Sequence, residues 1–189
     1  MAETGTLRDR LISVGVELLE DLGAGQLGLR AIARAAGVSH GAPRRHFPTH
    51  QALLGAIAAR GFADLTTRFA AIDANAAPRD RLRAMAVDYV EFAAARPEMF
   101  SLMFRHDLLE GSGENLRATT LPIFQQFTAL VGEVTGTPDP AARALALWTN
   151  LHGIATVRAN HSLALIAPTA DPAALVAAVL QLHLHHPDD

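Results

Sequence analysis

The 189-residue sequence has no cysteine and no lysine, only one tryptophan and one tyrosine, and no apolar run long enough to cross a bilayer. Without cysteine there are no disulfides, thiolate zinc sites or thiol nucleophiles, which fits a reducing compartment. Aromatic residues make up 5% of the chain, too few for the Val-, Tyr- and Thr-rich strands of a β-sandwich, while half of the residues are apolar, dominated by alanine and leucine. That composition points to packed helices. The most apolar tract, LHGIATVRANHSLALIAP, is interrupted by Arg158, Asn160 and His161, and AALVAAVLQL is too short to span hydrocarbon. The N-terminal stretch has acids on both sides of its apolar residues, unlike a secretory signal, so the expectation is a cytoplasmic protein without membrane contact.

With lysine absent, arginine supplies every fixed positive side-chain charge, and its distribution is uneven. Between Asp21 and Asp64 there is no carboxylate, whereas Arg30, Arg34, Arg44, Arg45 and Arg60 all fall there. Residues 1–60 hold seven arginines against five acids, and the remainder nine against fourteen. A basic N-terminal module on an acidic body is the asymmetry expected when one end meets a polyanion; the plainer reading is a solvated charged face.

Helical periodicity organises the chain. Leu7, Leu11, Val14, Leu18 and Leu22 mark a first helix stopped by Gly23 and Gly25. Leu29, Ile32, Ala33 and Ala36 form the buried stripe of a short second helix, with Arg30 and Arg34 facing outward. Gly37 and Val38 make a tight turn, and Ser39 is a competent N-cap for a third short helix over His40–His46. Pro48 ends that helix, and Thr49 caps a long fourth one. Further helices are predicted near 79–95, 97–106, 117–134, 140–161 and 171–184, with no strand-like alternation anywhere.

Two short helices joined by a glycine-containing turn form a helix-turn-helix, whose second helix enters the major groove of DNA. Exposed positions there would be His40, Gly41, Arg44 and Arg45. Arginine pairs bidentately with guanine edges or phosphates, and glycine permits close backbone approach. Ser39 and Thr49 start helices whose free N–H groups suit phosphate, with His40 and His50 beside them.

The stretch LRAIARAAGVSHGAPRRHFPTHQALL resembles the N-terminal domain of TetR-family transcriptional regulators through Arg30, Ile32, Ala33, Ala36, Gly37, Val38, Ser39, Gly41, His46, Phe47 and Leu53. Two positions depart from the family pattern: Arg44 stands where a tyrosine is usual, and His50 where a lysine is usual. The resemblance implies an all-α architecture, in which a three-helix DNA-binding head (residues 6–66) is joined by the long fourth helix to a helical-bundle effector and dimerisation domain (67–189). The DNA-contacting set it implies is Arg30, Ser39, His40, Gly41, Arg44, Arg45, His46, Thr49 and His50. For His46, a phosphate contact and a local backbone cap both remain open. Ile32, Ala33, Val38 and Phe47 read as core of the head.

The stretch LALWTNLHGIA, together with ARPEMFSLMF, looks like the Trp-His-Gly class of effector domains within the same family. Trp148 and His152 are one helical turn apart and share a face with Leu145, so indole and imidazole can share a pocket wall or simply pack as core. Candidate effector-binding residues are Phe92, Met99, Met103, Phe104, Phe124, Trp148 and His152, with Tyr89, Phe100 and Phe127 nearby in type. Met and Phe at this density suit a small hydrophobic effector. Leu147, Leu151, Ile154, Leu175, Val176, Val179, Leu180 and Leu182 are candidates for the face that joins a homodimer, or for monomer core.

The expected function is therefore a ligand-responsive regulator, most simply a repressor released from a palindromic operator. No cofactor and no catalytic residues are expected. A helical enzyme is the main rival of a different class, but Glu-x-x-His pairs and H-E-x-x-H are absent. His183, His185 and His186 near the C-terminus are a weak metal motif that reads more simply as solvated tail. A helical partner-binding protein with weakened DNA binding is the third reading, motivated by Arg44 and His50.

Overall fold

The computed structural model describes residues 6–184, and all regular structure among them is helical. His185 and His186 of the metal motif lie outside the described residues. The helices are α1 (Leu7–Leu22), α2 (Leu29–Ala35), α3 (His50–Ala70), α4 (Pro78–Ala95), α5 (Pro97–Met103), α6 (His106–Leu109), α7 (Arg117–Thr135), α8 (Pro140–Ala159), α9 (Ser162–Ile166) and α10 (Pro172–His183). A 3₁₀ turn, Pro43–Arg45, lies between α2 and α3.

Helix starts follow from local chemistry. Thr6 and Asp9 form a reciprocal capping box at α1, satisfying two of the orphan N–H groups of the first turn. At α8 and α10 the sequence Asp-Pro does the same work twice: Asp139 and Asp171 accept from Ala142 and Ala173, and the prolines occupy the first helical position. Predicted and observed helices agree except at three places. The expected 97–106 helix stops at Met103 and α6 follows separately, and the 140–161 helix breaks at Ala159, with His161 in the left-handed region before α9.

The third difference concerns the 40–46 helix, which is not an α-helix capped by Ser39. Its first α-type bond would run from the amide of residue 43 to the Ser39 carbonyl, and Pro43 has no N–H to give. The Ser39 carbonyl instead accepts from Ala42 at 3.0 Å, the tighter 3₁₀ spacing, and His46 donates to Pro43 at 3.0 Å. The long helix predicted as the fourth is consequently α3.

The described residues divide into two compact units, residues 6–63 with 98–116, and residues 64–97 with 117–184. The first contains the α1–α2 pair, the 3₁₀ turn and most of α3 around Leu11, Leu19, Ile32, Phe47, Leu53 and Ile57, all almost fully buried. Residues 98–116, assigned by sequence to the second domain, belong to this unit for specific reasons. Glu20 on α1 accepts from the amides of Glu98 and Met99 at 3.1 Å each, capping α5 from another helix. A Cβ on Gly61 would lie 2.6 Å from the Met99 sulfur, and one on Gly55 would lie 2.5 Å from the Ser112 Cβ, so α3 presents bare backbone to this segment. Arg8 pairs with Glu114 at 2.7 Å.

In the second unit α4, α7, α8 and α10 pack together, with α9 against α8. Leu147, Leu151, Val176 and Leu180, four of the candidate dimer residues, are core of this chain. Leu182 is 73% exposed, as are Leu165 and Ile166 on α9 at more than four-fifths and Leu145 at 51%. No helix among the described residues is long and apolar enough to cross a membrane.

Candidate functional site

α2 ends in the manner its sequence dictates. Gly37 has φ +66°, a conformation that costs L-residues with a Cβ, and Val38 and Gly37 donate back to the carbonyls of Ala33 and Arg34 at 3.0 and 3.2 Å. Arg10 of α1 adds a bond to the last carbonyl, its Nη2 donating to Ala36 at 2.7 Å. This fixes the angle at which the chain leaves α2. Buried Pro43 and Phe47 then anchor the following turn from below, and Phe47 donates to the Pro43 carbonyl at 2.8 Å. The guanidinium of Arg8 stands over the Phe47 ring, 5.5 Å from its centroid.

With Pro43 and Phe47 turned inward, the polar residues of this stretch are outside. Ser39, His40, Gly41, Arg44, Arg45, His46, Thr49 and His50 are exposed, as is Arg30 on α2. Two of the nine have duties within the fold. The Thr49 hydroxyl oxygen accepts from the Ala52 amide at 3.0 Å, capping α3 as predicted, and His50 Nε2 bonds the Leu27 carbonyl at 2.6 Å. Ser39 makes no such cap bond. No ion pair ties Arg30, Arg44 or Arg45 to a described residue, so their charge is available outward. The letters Gly-Val-Ser-His-Gly at Gly37–Gly41 also spell G-x-S-x-G, but here they link a helix to a 3₁₀ turn, not the strand-to-helix elbow in which that pattern exposes a nucleophile.

The seven candidate effector residues fall into two groups. Phe124, Trp148 and His152 come together in the second unit, where Trp148 stacks on His152 with ring centroids 5.0 Å apart and meets the edge of Phe124 at 6.5 Å. Phe92, on α4, is buried beneath the Arg68 guanidinium in the same unit. Met99, Met103 and Phe104 belong to the first unit, where both methionines are buried against Gly61, and Phe104 packs with Phe62 and Phe100. Leu145 is exposed, whereas Trp148 and His152 are half-buried.

The polar centre of the aromatic group is a pair that helical spacing did not reveal. The hydroxyl of Tyr89, buried on α4, lies 2.7 Å from His152 Nδ1 on α8. Burial pushes the Tyr89 phenol well above its ordinary range, with Trp148 as a further side-chain hydrogen-bond partner, and burial also lowers His152 below the usual imidazole value. Both groups are thus neutral near pH 7. An indole only donates, so the Tyr89 oxygen accepts from Trp148 and its hydroxyl proton goes to Nδ1 of neutral His152. The signal available in sequence was Tyr89 itself, the sole tyrosine, whose buried hydroxyl had to find a partner. Among the described residues no group of three or more His, Asp or Glu is placed to hold a metal ion.

Comparison with known proteins places this geometry in a family. Residues 11–57 match the profile of bacterial regulatory proteins of the tetR family, and residues 82–182 match the profile described as tetracyclin repressor-like, C-terminal domain. None of the curated proteins matches the sequence. Among solved structures, a protein of unknown function from Rhodococcus sp. RHA1 is 32% identical, with a TM-score of 0.81 over 96% of this chain and 95% of that one. The fold is shared with the transcriptional regulator FadR from Bacillus subtilis, solved in complex with stearoyl-CoA (17% identity, TM-score 0.67, 93% and 97% coverage). It is shared too with BioQ, solved with its double-stranded DNA operator (20% identity, TM-score 0.65, 94% and 99% coverage). The chain belongs to the TetR family and is a ligand-responsive, DNA-binding transcriptional regulator.

Proposed function

We propose that the chain is a cytoplasmic, non-enzymatic homodimeric repressor, released from a palindromic operator when a small apolar effector binds the second unit. The observation that carries the reading is the exposed basic turn. Arg44 and Arg45 project from a turn whose inward residues, Pro43 and Phe47, are buried, and no carboxylate occurs between Asp21 and Asp64. Residues 6–66 serve as the DNA-binding domain, with Arg30, Ser39, His40, Gly41, Arg44, Arg45, His46, Thr49 and His50 as its contact set. Residues 67–189 serve effector binding and dimerisation.

Two-fold symmetry suits a head that reads one half-site per protomer. The exposed, small-residue face of α10 (Ala173, Ala174, Ala177, Ala178, with Leu182) and Leu145 and Gly153 on α8 support pairing through these helices. Phe124, Trp148 and His152, with Tyr89, form the effector-facing wall. The neutral Tyr89–His152 pair within that wall favours an uncharged or weakly polar ligand over an ion. The stearoyl-CoA bound by Bacillus subtilis FadR is a precedent for a long apolar acyl group on this fold. The effector acts through its different affinities for the free and DNA-bound conformations.

Footprinting on the DNA upstream of the protein's own gene tests the reading. It predicts two protected half-sites related by a two-fold axis, spaced by about one turn of DNA or a multiple of it. Protection without symmetry contradicts the dimeric reading.

A further inference from the structure

His50 is exposed beside the basic turn, yet one of its ring nitrogens is committed to the fold. Nε2 lies 2.6 Å from the Leu27 carbonyl oxygen. A carbonyl only accepts, so Nε2 carries the hydrogen and the neutral ring keeps its lone pair on Nδ1. No described residue hydrogen-bonds Nδ1. An untethered neutral imidazole meets a phosphate by choosing whichever tautomer places N–H toward it. His50 lacks that choice, because the other tautomer would set two acceptors against each other at Leu27. Protonation, by contrast, adds Nδ1–H and a positive charge while leaving the Leu27 bond intact.

We infer that His50 is a proton-gated phosphate clamp, which donates Nδ1–H to a DNA backbone phosphate only in its charged form, so that DNA affinity rises as pH falls. The inference rests on the DNA-binding reading and adds a regulation to it.

The charged groups on the surrounding elements are compatible with this gating. The 23–28 loop that supplies Leu27 carries none, α2 carries Arg30 and Arg34, and the turn carries Arg44 and Arg45 with His46 next to it. α3 itself has no charged side chain after His50 until Arg60 and Asp64. On α1, besides Arg8, Arg10, Glu17 and Asp21, Asp9 is held in the Thr6 capping box and Glu20 by the amides of α5. The 98–116 segment holds Glu114 paired with Arg8 and Asp107 paired with Arg105, along with Glu98, His106 and Glu110. No described carboxylate forms an ion pair with His50, so none competes with phosphate for its proton.

The test is the affinity of the full chain for two duplexes, one from upstream of its own gene and one of random sequence, between pH 6.0 and 8.0 at fixed salt. A phosphate contact is sequence-independent, so both duplexes report it. One linked proton changes affinity by at most about tenfold per pH unit. For each protomer bound, the wild type should gain about threefold to tenfold more than His50→Gln on going from pH 8.0 to 6.0, a factor that a dimer with two His50 squares. Glutamine can still donate to Leu27 but never charges; His50→Lys, charged throughout, should hold the low-pH affinity at pH 8.0. A His40→Gln/His46→Gln double variant should retain the His50 share of the slope. Calorimetry in two buffers of different ionisation heat should show proton uptake on binding that is reduced in both His50 variants. A pH slope and proton uptake unchanged in His50→Gln, or in His50→Lys should the first not fold by circular dichroism, overturn the inference and leave the regulator reading standing. Failure to bind either duplex at any pH overturns both.

Discussion

In the first unit the side chains proposed to meet DNA are polar, exposed and supported from beneath by buried neighbours: Arg44 and Arg45 project while Pro43 and Phe47 are held inside. In the second unit the polar groups of the proposed effector wall bond to one another, Tyr89 to His152 at 2.7 Å, within an aromatic setting. The contrast is sharpest in two histidines. His50 uses its bonded nitrogen as a donor, so a second proton adds a further donor at Nδ1. His152 uses its bonded nitrogen as an acceptor, so a proton there displaces the Tyr89 hydrogen and charges a half-buried ring. We propose that the first surface gains charge against a polyanion and that the second stays neutral around an apolar guest.

The most damaging way to break this contrast is to remove the support beneath the turn. Phe47 is 1% exposed, and Phe47→Ala should cost about 3–5 kcal/mol of stability, read as a lower denaturation midpoint with DNA binding lost alongside. Replacing a surface residue should separate binding from stability. Arg44→Ala is expected to weaken DNA binding by about 1–3 kcal/mol with an unchanged melting temperature. If the loss falls on the operator alone, Arg44 reads a base; if it falls equally on random duplex, Arg44 holds a phosphate.

The second unit offers smaller tests. Tyr89→Phe deletes the hydroxyl shared with His152 and should cost about 0.5–1.5 kcal/mol in denaturant titration, with altered Trp148 fluorescence. Operator affinity without effector should not change. The smallest effect concerns pH. Burial lowers His152, so in the window below the ordinary imidazole value the unfolded chain binds more protons than the folded one, and stability falls as pH falls through it. His183, lowered by burial and by Arg143, adds to the same slope. His152→Gln should therefore flatten, without abolishing, the loss of melting temperature between pH 7.5 and 5.5. A slope identical to wild type contradicts the neutral-pair assignment.

Much of this was legible in the residues. Periodicity located the long helices, Thr49 marked a start, and Gly37-Val38 marked the turn that defines the head. Other features depended on competition or distance, which local pattern does not encode. Whether 40–46 forms an α or a 3₁₀ turn was decided by one missing N–H at Pro43, because Ala42 took the Ser39 carbonyl that an α-helix would have left to residue 43. The membership of Met99, Met103 and Phe104 in the first unit was set by Glu20 capping α5 and by the bare backbone at Gly55 and Gly61, contacts between residues far apart in sequence. The Tyr89–His152 pair escaped for a related reason: helical spacing relates neighbours on one helix, and this bond joins two.

Binding of the full chain to its own upstream DNA and to random duplex, measured across a series of salt concentrations, decides whether the protein recognises DNA sequence. Tighter binding to the upstream duplex is expected at every salt concentration, with log K falling linearly in log salt by about 0.9 for each phosphate neutralised. Equal affinity for both duplexes at every salt concentration would contradict it.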